Sequence, residues 1–175
     1  IQEVSLERDQ KILLRPNMKN FAILGVGGYI APRHIQAIND TGNRTVAAMD
    51  TNDSVGILDK YTQDVEFFKD FERFESYIDS LKGTDKQVDF VSICSPNHLH
   101  ASHMKFALKS GCNAICEKPL VLNPWNIDAL KDIEKESGQK INTILQLRLH
   151  PAIIALKKKV ELSGKKEKFD VDLTY

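Results

Sequence analysis

Short, continuous apolar runs alternate along this chain with longer stretches whose apolar residues return every third or fourth position. The first pattern suits a strand buried on both faces, the second a helix that rests one face on a sheet. Phe21, Ala22, Ile23 and Leu24 open the first run, predicted as a strand over 21–26. A helix is predicted over 29–41, with Ile30, Ala37 and Ile38 on one face and Gly42 as its stop. Further strands are predicted at 45–49, 66–68, 88–94, 114–116 and 141–147. Helices fall between them: 54–61, a segment marked by Phe71, Phe74, Ile78 and Leu81, and one ending near Ser110. Asn123 reads as the N-cap and Pro124 as the first residue of a helix running to Gly138, and a last helix covers 151–162. Six strands separated by helices predict an α/β fold, a doubly wound parallel sheet of the Rossmann type with right-handed crossovers.

The end of the chain breaks this pattern. Residues 169–175 alternate apolar and polar with period two, the mark of a sheet with one wet face. They are expected to be the first strand of a second, truncated α/β domain, with 151–175 as linker helix and strand. Residues 18–150 form the expected nucleotide-binding domain. Residues 1–17 read as an extension, either a real amphipathic one or, as favoured by Met18 standing just before the first strand, one read from upstream of the true start.

Composition changes the picture little. At 175 residues, 42% hydrophobic and 27% charged, the chain is ordinary for a globular protein. Its 24 Lys and Arg balance 24 Asp and Glu, so no global field favours nucleic acid or an anionic membrane. The lysines at 157–159 and 165–168 read as a solvated helix face. Cys94, Cys112 and Cys116 are poorly spaced for zinc and read as reduced packing residues. The sequence has neither a membrane-length apolar run nor a signal-peptide pattern, which predicts a soluble, cytoplasmic protein.

The chemistry gathers where strands end. Phe21-Ala-Ile-Leu-Gly25-Val-Gly27-Gly28 is a strand running into a glycine turn that opens a helix. Gly25 suits the tight turn, and Gly27 the close approach of a pyrophosphate to the backbone. The third small position of such a fingerprint holds Ile30, with Ala31 beside it. Amides after Gly28, at Tyr29 and Ile30, would face the phosphates. Asp50 ends the second strand, where a carboxylate accepts from adenosine ribose hydroxyls and repels a 2′-phosphate. NAD rather than NADP is therefore expected.

Ser95, Pro96, Asn97 and His100 leave the fourth strand at the same edge and read as cofactor contacts. His98, His100 and His103 lack the acidic or thiol partners of a metal site, so no metal is expected. His34, on the first helix, reads as a structural or surface residue. Ala114-Ile-Cys-Glu117-Lys118-Pro119 is an apolar strand ending in a carboxylate and an amine. Lys118 is the candidate catalytic residue. In a water-poor cleft its charged form is disfavoured, and it can bond a substrate hydroxyl or move its proton. Glu117 would orient it, and Glu117 and Lys118 also read as cofactor contacts. Gln146, Arg148 and His150 follow the sixth strand, Gln146 as a cofactor contact and Arg148 equally as an ion-pair partner. Trp125 would cover the nicotinamide region or pack its helix.

The ordered set of Gly25-Val-Gly27-Gly28, Cys94-Ser-Pro-Asn-His-Leu-His100, Glu117-Lys-Pro119 and Gln146-Leu-Arg-Leu-His-Pro151 resembles the Gfo/Idh/MocA oxidoreductase family. Val26-Gly-Gly-Tyr-Ile-Ala-Pro-Arg-His34 and Asn123-Pro-Trp-Asn126 resemble a narrower group within it, the bacterial UDP-N-acetyl-2-amino-2-deoxyglucuronate dehydrogenases of surface-polysaccharide synthesis. The resemblance implies a Rossmann domain followed by a largely antiparallel domain. It further implies NAD-dependent oxidation of a UDP-sugar at C3, with 2-oxoglutarate regenerating NAD, and a homo-oligomer when full length. The family lysine falls on Lys118, and its usual histidine partner has no counterpart here. Other readings are a dehydrogenase of a free polyol such as inositol, and a non-catalytic NAD-binding module.

Overall fold

In a computed structural model, described here for residues 18–53, 55–61 and 64–164, six parallel strands form one sheet in the order β3-β2-β1-β4-β5-β6. The strands are β1 (Asn20–Leu24), β2 (Arg44–Met49), β3 (Glu66–Phe68), β4 (Phe90–Ile93), β5 (Asn113–Cys116) and β6 (Ile141–Thr143). The helices are α1 (Ala31–Asp40), α2 (Ile57–Tyr61), α3 (Phe71–Ser80), α4 (His100–Lys109), α5 (Asn126–Ser137) and α6 (Pro151–Leu162). The doubly wound α/β architecture is the one the apolar runs predict.

Alternation along β1 sorts the core into two layers. Ala22 and Leu24 face α3, α4 and α5, packing with Phe74, Ile78, Met104, Ala107 and Leu130. Phe21 and Ile23 face α1 and α2, packing with Ile35, Ile38 and Leu58. Every residue of β1 is buried, as expected of a strand with a neighbour on each side and helices on both faces. Phe21 stacks on Phe90 of β4 with ring centroids 5.1 Å apart.

The chain reverses its direction of growth between β1 and β4, which are hydrogen-bonded neighbours although β2 and β3 separate them in sequence. Such a switch point leaves a crevice outside the carboxyl ends of the strands, where open α/β sheets bind ligands.

Several boundaries depart from the periodicity. The first helix begins at Ala31, because residues 28–30 are spent on a turn in which Gly28 donates to the Gly25 carbonyl and Ala31 to that of Gly28. Asn123-Pro124 starts a turn and not the helix itself: Asn123 Oδ1 accepts from the Trp125 amide, and α5 opens at Asn126. That helix does stop where predicted, at Gly138, whose φ of 72° is open to glycine at little cost. The sixth strand ends at Thr143 because its partner β5 stops at Cys116; residues Gln146–Leu149 turn into a 3-10 helix. Residues 1–17 and 169–175, with the extension and the period-two strand expected there, lie outside the described residues.

The chain divides into two compact units at Ile144/Leu145, ahead of the expected boundary at residue 150. The second contains the Gln146–Leu149 turn and α6, which His150 caps by accepting from the Ala152 amide. Among the described residues no helix is long and apolar enough to cross a membrane.

Candidate cofactor site

Four adjacent strands deliver the site. Asp50 follows β2, the glycine turn follows β1, residues 95–97 follow β4, and residues 117–119 follow β5. At about 4.8 Å per strand, Asp50 and Lys118 stand roughly 14 Å apart across the sheet edge, a distance suited to an extended dinucleotide.

The glycine turn is tight for identifiable reasons. Gly25 has φ of 82°, and a Cβ there would lie 2.6 Å from the Ser95 backbone. Its own amide donates to the Met49 carbonyl. A Cβ on Gly27 would lie 3.1 Å from Asp50 Oδ2, the atom that accepts the Gly27 amide at 2.9 Å. The other oxygen, Oδ1, accepts from the Asn52 amide at 2.9 Å. Each carboxylate oxygen keeps a further acceptor site for a ribose hydroxyl. Among the described residues the amides of Tyr29 and Ile30 have no protein acceptor. They stand at the N-terminus of α1, where the helix dipole favours an anion. Ala31, fully buried, occupies the close packing position that Ile30 does not.

A pocket of about 450 Å³ lies beside this turn, bounded by Gly25, Asp50 and Ser95 on the sheet edge and by Phe71, Leu99 and His103 on the helices. His103 stacks on Phe71 at 5.3 Å between centroids and 10° between planes, and its Nδ1 meets Ser95 Oγ at 2.8 Å. Burial, with His100 and His98 nearby, lowers its pKa to about 4, so the ring is neutral at physiological pH. An apolar, aromatic-walled pocket beside Asp50 suits a flat base. The glycine cradle, the two open amides and this pocket together fit a dinucleotide such as NAD. Phe71 reads in the sequence only as a helix core position; its place on the pocket wall follows from α3 starting directly after β3 at the ligand-binding edge.

At the other end, Lys118 is exposed, so the water-poor cleft expected around it is not formed by the described residues. It follows β5 at the open edge of the sheet, where nothing described covers it. Its Nζ has no partner among them. Glu117 does not reach that amine. Its buried carboxylate bonds His34 Nε2 through Oε1 at 3.0 Å, and Oε2 accepts the Lys118 backbone amide at 3.2 Å. His34 Nδ1 meets Ser92 Oγ at 2.7 Å, so the histidine is structural as read.

His100 is not a cofactor contact. Its ring is fully buried, with Nδ1 2.7 Å from the Pro119 carbonyl oxygen and Nε2 3.0 Å from that of Ser95. Both nitrogens are spent on the protein. Pro96 and Asn97 are exposed beside the pocket, and Ser95 is buried beneath it. The Lys118-Pro119 peptide is cis. Trp125 is 83% exposed, so it does not pack its helix. Gln146 and Arg148 belong to the second unit.

Cys94, Cys112 and Cys116 are free and buried, and burial pushes each thiol up to about 12. They are protonated packing residues, unsuited to nucleophilic work. Among the described residues no group of His, Cys, Asp or Glu forms a metal site.

Comparison with known proteins agrees with this geometry. The family described as "Oxidoreductase family, NAD-binding Rossmann fold" matches residues 19–144. The WlbA (WbpB) dehydrogenase from Thermus thermophilus, solved in complex with NAD and UDP-GlcNAcA, is 45% identical with a TM-score of 0.80, over 83% of this chain and 47% of that one. Its complex with NAD and alpha-ketoglutarate gives 44% and 0.81, over 85% and 48%. Glucose-6-phosphate 3-dehydrogenase of Bacillus subtilis (strain 168) is 30% identical over 66% of this chain and 30% of its own length. Inositol 2-dehydrogenase of Paracoccus denitrificans (strain Pd 1222) is 29% identical over 46% and 24%. The chain thus spans about half the length of the solved relatives and less of the curated ones. With a family match over most of its length, on the fold and glycine turn that such a match requires, the chain belongs to the Gfo/Idh/MocA family of oxidoreductases with an NAD-binding Rossmann fold.

Proposed function

We propose that the protein is an NAD-dependent dehydrogenase that oxidises C3 of UDP-N-acetylglucosaminuronate, a step of bacterial surface-polysaccharide synthesis. The observation that carries the dehydrogenase reading is the order along one sheet edge: ribose acid, phosphate turn, then Lys118. The sugar-nucleotide reading is supported by the likeness to the Thermus thermophilus dehydrogenase bound to UDP-GlcNAcA.

In this reading Asp50 holds the adenosine ribose, and residues 25–30 bind the pyrophosphate through backbone amides. Bound NAD supplies the acceptor for a hydride. Lys118 Nζ, as the neutral amine, would accept the proton of the substrate hydroxyl while the same carbon gives up a hydride, so the alcohol becomes a ketone and the amine an ammonium. The likeness to a complex with alpha-ketoglutarate supports 2-oxoglutarate as the substrate whose reduction restores NAD.

The test offers the full-length protein UDP-N-acetylglucosaminuronate with NAD and 2-oxoglutarate, and inositol in a parallel arm. The proposal expects the 3-keto sugar nucleotide and 2-hydroxyglutarate by mass spectrometry, both lost in Lys118→Ala. Turnover of inositol alone moves the assignment to a free polyol, as the inositol relative would suggest. NAD binding with no turnover of either favours a non-catalytic module.

A further inference from the structure

Two histidines reach the same short segment from opposite faces of the sheet. His34 rises from α1, which packs with Phe21 and Ile23. His100 opens α4, which packs with Ala22 and Leu24 on the other face. Between them lie Glu117, Lys118 and Pro119 at the end of β5.

Each histidine ends on the backbone of this segment, directly or through one side chain. His34 is anchored by Ser92 Oγ at 2.7 Å and holds Glu117 Oε1 at 3.0 Å; the other Glu117 oxygen takes the Lys118 N–H at 3.2 Å. The His34 and Glu117 side chains are only 10% and 11% exposed, so water contributes little to holding them. On the opposite side, His100 Nδ1 lies 2.7 Å from the Pro119 carbonyl oxygen. Its Nε2 lies 3.0 Å from the Ser95 carbonyl, at the start of the loop beside the glycine turn. The Lys118 side chain is exposed and makes no hydrogen bond or ion pair with any described residue. Whatever fixes the direction in which this amine leaves the sheet therefore acts on its backbone.

We propose that His34, through Glu117, and His100, through Pro119, are positioning residues that clamp the backbone on either side of Lys118 and so aim its amine. The inference rests on the reading of Lys118 as the proton-handling residue. The two histidines should have different signatures. Among the described residues His34 bonds Ser92 and Glu117 and makes no bond to the glycine turn, to Asp50 or to the pocket wall, so its loss should act on Lys118 and not on the nucleotide end. The His100 ring fills the space between the Pro119 and Ser95 carbonyls, donating to one of them through a single N–H and packing its other nitrogen against the second, so its loss should disturb both Lys118 and the cofactor loop.

The experiment uses the full-length protein with His34→Leu, His34→Gln and His100→Gln. It reads amide hydrogen exchange at Lys118, NAD affinity by calorimetry, and steady-state kcat and KM. For His34→Leu, loss of the ordered carboxylate should speed Lys118 amide exchange about tenfold while exchange in β1 and β4 is unchanged. NAD affinity should stay within about twofold, whereas kcat falls about tenfold or more through misplacement of the amine. His34→Gln, which can donate to Glu117 and accept from Ser92, should recover most of both effects. His100→Gln should speed exchange at Lys118 and weaken NAD together.

Unchanged Lys118 exchange and kcat in a folded His34→Leu protein overturns the proposal, leaving His34 a packing residue. Should that variant fail to fold, Ser92→Ala, which frees Nδ1, and Glu117→Gln, which removes the charge that draws the amide, decide in the same way. No change at Lys118 in either sinks the idea. Separately, full turnover by Lys118→Ala would refute the role of the lysine while leaving the exchange results to stand.

Discussion

Two alanine substitutions two residues apart should fail in different ways. At Gly25 the added methyl meets a backbone that cannot yield: it would lie 2.6 Å from both Ser95 Cα and Ser95 N, and 2.7 Å from the Cys94 carbonyl carbon. The residue also sits at φ 82°, in the left-handed region. The conformation costs an alanine about 1–2 kcal/mol, and overpacking adds about 1–3 kcal/mol. A loss of about 2–5 kcal/mol is a large part of a typical domain's stability, and at this size lowers Tm by roughly 4–20 °C. At Gly27 the methyl meets only the Asp50 carboxyl, with Oδ2 at 3.1 Å and Cγ at 3.2 Å, and the end of a half-buried side chain can swing by a few tenths of an ångström. Gly27→Ala should therefore cost under about 1 kcal/mol of stability. It also fills the approach path of the pyrophosphate and disturbs the acid that holds the ribose, so NAD affinity should fall at least about tenfold. Thermal melts and NAD calorimetry on both variants check this pair. A Gly25→Ala protein that melts like the parent, or a Gly27→Ala protein that binds NAD like the parent, would refute the reasoning about the turn.

Asp50→Ala removes an ionised acceptor for ribose hydroxyls and should weaken NAD about 10- to 100-fold while narrowing discrimination against NADP, read by titrating both. Burial of neutral His103 makes the native state bind fewer protons than the unfolded chain between about pH 6.5 and its native value of about 4. Stability from this group is thus present above that window and is lost as pH falls through it, by about 2–3 kcal/mol near pH 4.5. His103→Gln should lose this part of the pH dependence in urea melts, and equal slopes in both proteins would contradict it. Thr45 Oγ1 is buried with no hydrogen-bond partner among the described residues, so Thr45→Val should raise stability by up to about 1 kcal/mol in urea melts.

The sheet was legible because β1, β2, β4 and β5 are apolar on both faces, and only a strand buried between helix layers has that composition. Gly25, Gly27 and Asp50 were legible for a related reason: a turn with no room for Cβ and an acid at the next strand end leave a local trace. Side-chain direction was not legible. His100, Glu117 and His34 lie in different segments, and only the stacking of α1 and α4 on opposite faces reveals what they hold. Nor could periodicity separate the Asn123 turn from the helix start at Asn126, since an asparagine side chain serves either one equally well.

The most direct test of the account is calorimetric titration of NAD and NADP into this chain, alongside a circular-dichroism melt to establish that it is folded. Saturable NAD binding, with NADP at least about tenfold weaker, is the predicted result, because the Asp50 carboxylate, which takes the Gly27 amide, would accept from a ribose hydroxyl and repel a phosphate in its place. A cooperatively folded chain that binds neither nucleotide, or prefers NADP, would contradict the site as described.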